Sequence, residues 1–177
     1  MLLALTSASR ASEISYLDTK IMAHNEEKYL FGFRVTTKTS RESKPRPEIS
    51  YVCFPEDRQL CVVKTLDCYI EKTVSLRGQV SQLLISYIKP HDKVSVTTVS
   101  RWIKDLLKNA GIDTKKFTGH STRSASTSKA QISGVSIECI LNRAHWSSSS
   151  TFTKYYNKKV SMETTFQKAV LGHSKKL

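Results

Sequence analysis

Four short stretches of this sequence carry side chains that can do chemistry. Ala8-Ser9-Arg10-Ala11-Ser12-Glu13-Ile14 sets an arginine at a helix turn, with a glutamate three residues on, and Thr36-Thr37-Lys38-Thr39 sets a lysine at the edge of an expected hairpin. His120-Ser121-Thr122-Arg123 places an imidazole and a guanidinium at i,i+3, on one helical face. Trp146 is followed by the four serines Ser147 to Ser150 and then by Tyr155-Tyr156. A planar guanidinium grips phosphate oxygens bidentately, an imidazole moves protons near neutral pH, and a tyrosine hydroxyl can form a covalent intermediate. Together such groups suit chemistry on a phosphate ester. Singly, each has an ordinary reading: a surface ion pair, a solvated lysine, a core or surface histidine, a core tryptophan.

The bulk composition says which partner to expect. The 177 residues hold 28 Lys and Arg against 15 Asp and Glu, a net charge of +13. A strongly basic domain most often meets a polyanion, because each cation placed near a phosphate releases condensed counterions. With 39% hydrophobic and 24% charged residues, the chain fits one globular domain with a real core, and neither disorder nor a membrane bundle. Cys53, Cys61, Cys68 and Cys139 form no CxxC pair, so neither a zinc site nor a disulfide framework is suggested, and a reducing compartment is expected. The opening Met1-Leu2-Leu3-Ala4-Leu5 lacks the basic start and the length of a signal peptide. No run approaches the roughly 20 apolar residues that span a bilayer.

The elements that must position these groups are legible from periodicity. Leu2, Leu5, Ile14 and Leu17 predict a helix, a turn near Thr6 to Ser9, and a second short helix. The runs from Tyr29 to Val35 and from Ile49 to Phe54 predict a hairpin with a long loop holding Pro45 and Pro47. Leu60, Val63, Leu66, Cys68, Tyr69 and Ile70 recur at helical spacing, and Leu83 to Tyr87 is a further strand candidate closed by Pro90. Val99, Trp102, Ile103, Leu106 and Leu107 form the stripe of a strong helix that Gly111 can cap. Helices are also expected over Ser121 to Ala130 and Val135 to Ala144. Another should start after the serine run, with Phe152 and Tyr156 on one face. The fold class is mainly α with a small antiparallel sheet (α+β).

The order Arg10, Lys38, His120-x-x-Arg123, Trp146 and a C-terminal tyrosine resembles the catalytic domain of the tyrosine recombinase (phage integrase) family, from Leu2 to about Val170. The His-Ser-Thr-Arg-Ser-Ala-Ser and Trp-Ser-Ser-Ser-Ser-Thr-Phe runs look closest to recombinases of DIRS-like and Crypton-like eukaryotic mobile elements. The resemblance implies that a tyrosine attacks a DNA phosphodiester, leaving a 3′-phosphotyrosyl bond and a free 5′-hydroxyl, without metal or cofactor. It makes Arg10 and Arg123 the clamps on the non-bridging oxygens, Lys38 the acid for the leaving oxygen, and His120 a proton carrier or phosphate contact. Trp146 would pack on the site and donate its indole N–H, while Glu13 would orient Arg10.

Two departures leave alternatives open. His145 precedes Trp146 where the family usually has a small residue, often glycine, so His145 competes with Trp146 for the phosphate. The nucleophile is Tyr155 by the spacing of most integrases and Tyr156 by the DIRS-like spacing, and Tyr156 is preferred. Arg41, Lys44, Arg46, Lys115, Lys116 and Lys129 are candidate DNA phosphate contacts.

The expected partner is double-stranded DNA, bound by a homotetramer that exchanges a C-terminal segment, for which Val160 to Leu171 is the candidate. Residues 1–177 are expected to be one catalytic domain, truncated upstream because the first residue falls inside a helix, and lacking the core-binding domain. The expected location is the nucleus of a eukaryote, or otherwise the cytoplasm, and not outside the cell. Two rivals remain: a non-catalytic DNA-binding remnant of a mobile-element recombinase, and a type IB topoisomerase-like enzyme.

Overall fold

The computed structural model describes residues 1–33, 48–146 and 148–155. Two short helices open the chain, α1 (Leu2–Ser7) and α2 (Ala11–Ser15). They are separated where Ala8 turns left-handed, at φ 52°. A 3₁₀ turn at Thr19–Ile21 leads into β1 (Met22–His24), β2 (Lys28–Phe31) and β3 (Ile49–Val52). Helices α3 (Val62–Thr73), α4 (Val96–Asn109), α5 (Ser121–Ile132), α6 (Ile137–Arg143) and α7 (Ser149–Tyr155) follow.

The expected hairpin is present: β2 and β3 pair antiparallel, with Tyr29 opposite Tyr51 and Phe31 opposite Ile49. These four alternate residues point into the core, as the period of two requires. Sequence periodicity misses the third strand. Met22–His24 is too short and too exposed to show a pattern, and it exists because it pairs with β2 in the order β1-β2-β3. The segment expected as a strand at 83–87 forms no ladder. Instead it runs between two isolated bridges, Asp18 with Gln82 and Ile85 with Lys93, and Leu83 is buried there.

The core gathers Ala4, Ile14, Leu17, Phe31, Tyr51, Val63, Leu66, Leu83, Val99 and Ile103. Helix α4 buries Val99, Ile103 and Leu107 at i,i+4,i+8, which leaves Trp102 at the flank of the stripe and Leu106 exposed. Its ends are chemically specified. The Ser95 hydroxyl accepts from the Thr98 N–H at 3.1 Å, and Gly111, at φ 75°, lets the Ile112 N–H reach the Leu107 carbonyl. Helix α2 packs on α4, and α1 packs on both α5 and β3. The Arg10 turn, the start of α5 and the hairpin are thereby drawn to one end of the molecule. Among the described residues, no helix is long and apolar enough to cross a membrane.

Candidate active site

The site is built around one buried carboxylate. Arg10 stands at the N-cap of α2, a position usually held by a side-chain acceptor that arginine lacks. Glu13, at the third helical position, makes the reciprocal half of such a cap: its Oε2 takes the Arg10 backbone N–H at 2.6 Å. Its Oε1 takes Nη1 of the Arg10 side chain at 2.8 Å. On the other side, Nη1 of Arg123 lies 3.5 Å from Glu13 Oε2. Burial pushes the Glu13 carboxyl up, but the neighbouring His145 ring, the hydrogen bond from the Arg10 backbone and the charges of Arg10 and Arg123 outweigh it and hold the group below its usual 4.5. The carboxylate is therefore ionised at neutral pH and links two arginines 113 positions apart in sequence.

The two arginines differ in exposure. Arg10 keeps 25% of its side chain exposed, whereas Arg123, in the first turn of α5, keeps 1%. The Arg123 guanidinium donates to the carbonyl of Ala8 at 2.8 Å and to the carbonyl of Ala144, and its plane lies 4.7 Å over the Trp146 ring. Arg123 thus joins the α1–α2 turn to the end of α6. His120 is the residue before the first turn of α5 and is exposed. Partial burial, then the charges of Arg123 and Arg10, lower its pKa below 6.5, so the imidazole is neutral at pH 7.

His145 occupies a backbone position that explains the usual preference for glycine there. Helix α6 ends with the His145 N–H on the Asn142 carbonyl and the Trp146 N–H on the Leu141 carbonyl, the pair of bonds that needs a left-handed residue just past the helix. His145 adopts it at φ 50°. Its Nδ1 lies 4.0 Å from Glu13 Oε1, and its Nε2 lies 3.3 Å from the Glu48 carbonyl at the foot of β3. Trp146 is tilted against Phe152, with centroids 5.7 Å apart, and Phe152 is fully buried. This contact seats α7, which ends at Tyr155, on the site.

Arg10, Glu13, His120, Arg123, His145 and Trp146 are thus brought together. Lys115 and Lys116 are exposed in the turn before α5, where Lys116 Nζ lies 4.0 Å from Asp113. Lys129 is exposed, two turns further along α5 and around the helix from the buried Arg123. Lys38, Arg41, Lys44, Arg46 and Tyr156 lie outside the described residues, as does the 160–171 segment. Of the other tyrosines, Tyr29 and Tyr51 are core residues. Burial raises the pKa of both phenols, that of Tyr51 to about 12.

One residue at this end was not singled out from the sequence. Arg143, in the last turn of α6, donates from Nε and Nη2 to the Thr6 carbonyl at 3.3 and 3.0 Å, and from Nη1 to Ser50 Oγ at 2.8 Å. Its Nη2 also meets the Ser50 carbonyl at 2.5 Å. In sequence it reads as a cation answering the dipole of a helix end. In the fold it clamps α6 to both α1 and β3, beside a cleft of about 330 Å³ lined by Ser7, Glu48, Asn142 and His145. Among the described residues, no group of three or more His, Cys, Asp or Glu could hold a metal ion.

The model of the phage integrase family matches residues 1–162. Among solved structures, the chain is similar to XerA recombinase (21% identity, TM-score 0.70, covering 97% of this chain and 55% of that one). It is also similar to XerH site-specific recombinase bound to its difH substrate in a pre-cleavage complex (10%, 0.66, 93% and 43%). A third match is the Tn1549 transposon integrase in complex with transposon right-end DNA (12%, 0.62, 96% and 57%). The chain spans about half the length of these proteins, and at such identities the likeness establishes the fold of a tyrosine recombinase catalytic domain. No curated protein matches the sequence.

Proposed function

The chain belongs to the phage integrase family, and from that premise we propose that it cuts and rejoins duplex DNA at specific sites through a 3′-phosphotyrosyl intermediate. The Tyr156 oxygen attacks the phosphorus, its proton passing to the neutral imidazole of His120. The bond from phosphorus to the 5′-oxygen breaks, and Lys38 protonates that oxygen. Attack by a 5′-hydroxyl reverses the step, so the phosphoester bond is conserved for religation. Arg10, partly exposed, meets one non-bridging oxygen. Arg123 meets the other by exchanging one of its carbonyl contacts for the phosphate, in a site where a guanidinium acts strongly because water is excluded.

The observation that carries this reading is the buried carboxylate of Glu13, which holds both arginines within 3.5 Å while His120 lies in their field. The expected partner is DNA, named in the structure of the Tn1549 integrase. The homotetramer, the nuclear or cytoplasmic location and the kinship to DIRS-like and Crypton-like elements belong to the same proposal, the last resting on the two sequence runs quoted above.

A nicked DNA substrate that loses a short 5′ fragment after cleavage should trap a covalent protein–DNA adduct. The adduct should vanish in Tyr156→Phe and persist in Tyr155→Phe. The reverse pattern moves the nucleophile to Tyr155. A second reading, a DNA-binding remnant, is favoured by the burial of Arg123 on two backbone carbonyls. Salt-sensitive DNA binding with no adduct from any substrate would establish it.

A further inference from the structure

Two of the four cysteines, unremarkable in sequence, face each other. Cys53 follows β3, and Cys61 is the N-cap residue of α3; their sulfurs lie 3.6 Å apart. Both backbones are pinned. The Cys53 N–H donates to the Glu27 carbonyl at 2.6 Å, while the Cys61 carbonyl accepts from the Thr65 N–H at 3.1 Å and the Thr65 hydroxyl at 2.9 Å. Disulfide bonding needs the sulfurs at about 2.05 Å, a closure of about 1.5 Å that side-chain rotation can supply. The two thiols also divide the chemistry between them. Cys61 is 1% exposed and Cys53 partly exposed, so an oxidant reaches Cys53 first.

We propose that Cys53 and Cys61 form a redox-active dithiol that closes reversibly to an intramolecular disulfide when it meets a small-molecule disulfide such as oxidised glutathione. Cys53 exchanges with the oxidant, forming a mixed disulfide and releasing one glutathione thiol. The Cys61 sulfur then attacks the Cys53 sulfur, forming the internal bond and expelling the second glutathione. Two protein thiols are oxidised, one glutathione disulfide is reduced to two thiols, and the two protons end on the glutathiones.

The resolving sulfur is prepared for its part. Burial pushes the Cys61 thiol up, but the N–H groups of Phe54, Lys64 and Val63 and the Cys53 thiol outweigh it and favour its thiolate, while donation to Cys61 raises Cys53. The Phe54 N–H lies 3.3 Å from Cys61 Sγ. Closure ties the end of β3, whose Ser50 receives Arg143, to the start of α3. It is independent of the DNA chemistry proposed above.

The test is equilibration of the folded chain in glutathione buffers of graded ratio, followed by alkylation and peptide mapping. Oxidation should lower the mass by about 2 Da, link the Cys53 and Cys61 peptides, reverse with dithiothreitol, and raise the melting temperature by about 5 °C. The link should survive in the Cys68→Ser/Cys139→Ser double variant, because both are exposed thiols outside the pair. It should be lost in Cys53→Ser, a change at a partly exposed residue. Glutathione adducts on Cys53 with Cys61 still alkylated, or only intermolecular links through Cys68 and Cys139, would overturn the proposal.

Discussion

The carboxylate of Glu13 and the guanidinium of Arg123 lie 3.5 Å apart with 3% and 1% of their side chains exposed, and the same carboxylate holds Arg10. A buried pair of this kind is a liability once half of it is removed, because the remaining charge has lost both water and counter-ion. Glu13→Ala should therefore destabilise the fold by about 3–5 kcal/mol, lowering the melting temperature by roughly 10 °C. Thermal unfolding followed by circular dichroism measures it, and a change under about 1 kcal/mol would show that the carboxylate is not the hub.

The same group fixes an acid limb of stability. The folded pKa of Glu13 lies below 4.5, so the unfolded chain binds the extra proton. Its contribution is fully present above about pH 4.5 and is lost as pH falls through the folded value. Urea midpoints measured from pH 6 to pH 3 should drop more steeply in the native protein than in Glu13→Gln.

His120 titrates in the opposite sense to a salt-bridged histidine. Partial burial and the charges of Arg123 and Arg10 hold its pKa below 6.5, so its stabilising neutral form is complete above that value and is lost as pH falls toward the folded pKa. Nuclear magnetic resonance titration of the His120 ring should give a midpoint below 6.5 that rises in Arg10→Gln, where one like charge is gone. A midpoint unmoved by that substitution would separate His120 from the arginines.

Arg143 should matter as much as the residues the sequence advertises. It makes charge-assisted contacts to Thr6 and Ser50, and Arg143→Ala should cost about 2–4 kcal/mol by leaving the Ser50 carbonyl and hydroxyl without their donor. Arg143→Lys should recover only part of this, since an ammonium cannot span both acceptors in a fork. Urea midpoints of the two variants decide it.

His145 offers a backbone test. Two substitutions delete the imidazole, but only His145→Gly also removes the Cβ strain of the left-handed turn at φ 50°. His145→Gly should be more stable than His145→Ala by about 1 kcal/mol. Equal stabilities would mean that the turn is not left-handed in solution.

Local chemistry made most of the elements readable. The period-two runs around Tyr29 and Tyr51 became the hairpin, and the Val99, Ile103, Leu107 stripe with Gly111 became α4 and its cap. Both depend on nearest-neighbour sterics and on which face meets water. Met22–His24 and the bridged segment around Leu83 could not be read this way, because their pairing is supplied by partners distant in sequence.

The sequence by itself determined the chain's charge, its element order and the residue types Arg10, His120, Arg123 and Trp146 whose succession resembles a phosphate site. Only the tertiary structure decided that Glu13 is shared by two arginines, that Arg123 is given to the carbonyls of Ala8 and Ala144, and that Arg143 clamps three elements. It alone brought the Cys53 and Cys61 sulfurs together across a turn. The reason is physical. Propensity and periodicity act over a few residues, whereas burial of a charge is tolerable only when its counter-ion and acceptors arrive from elsewhere in the chain, and that meeting is settled by packing.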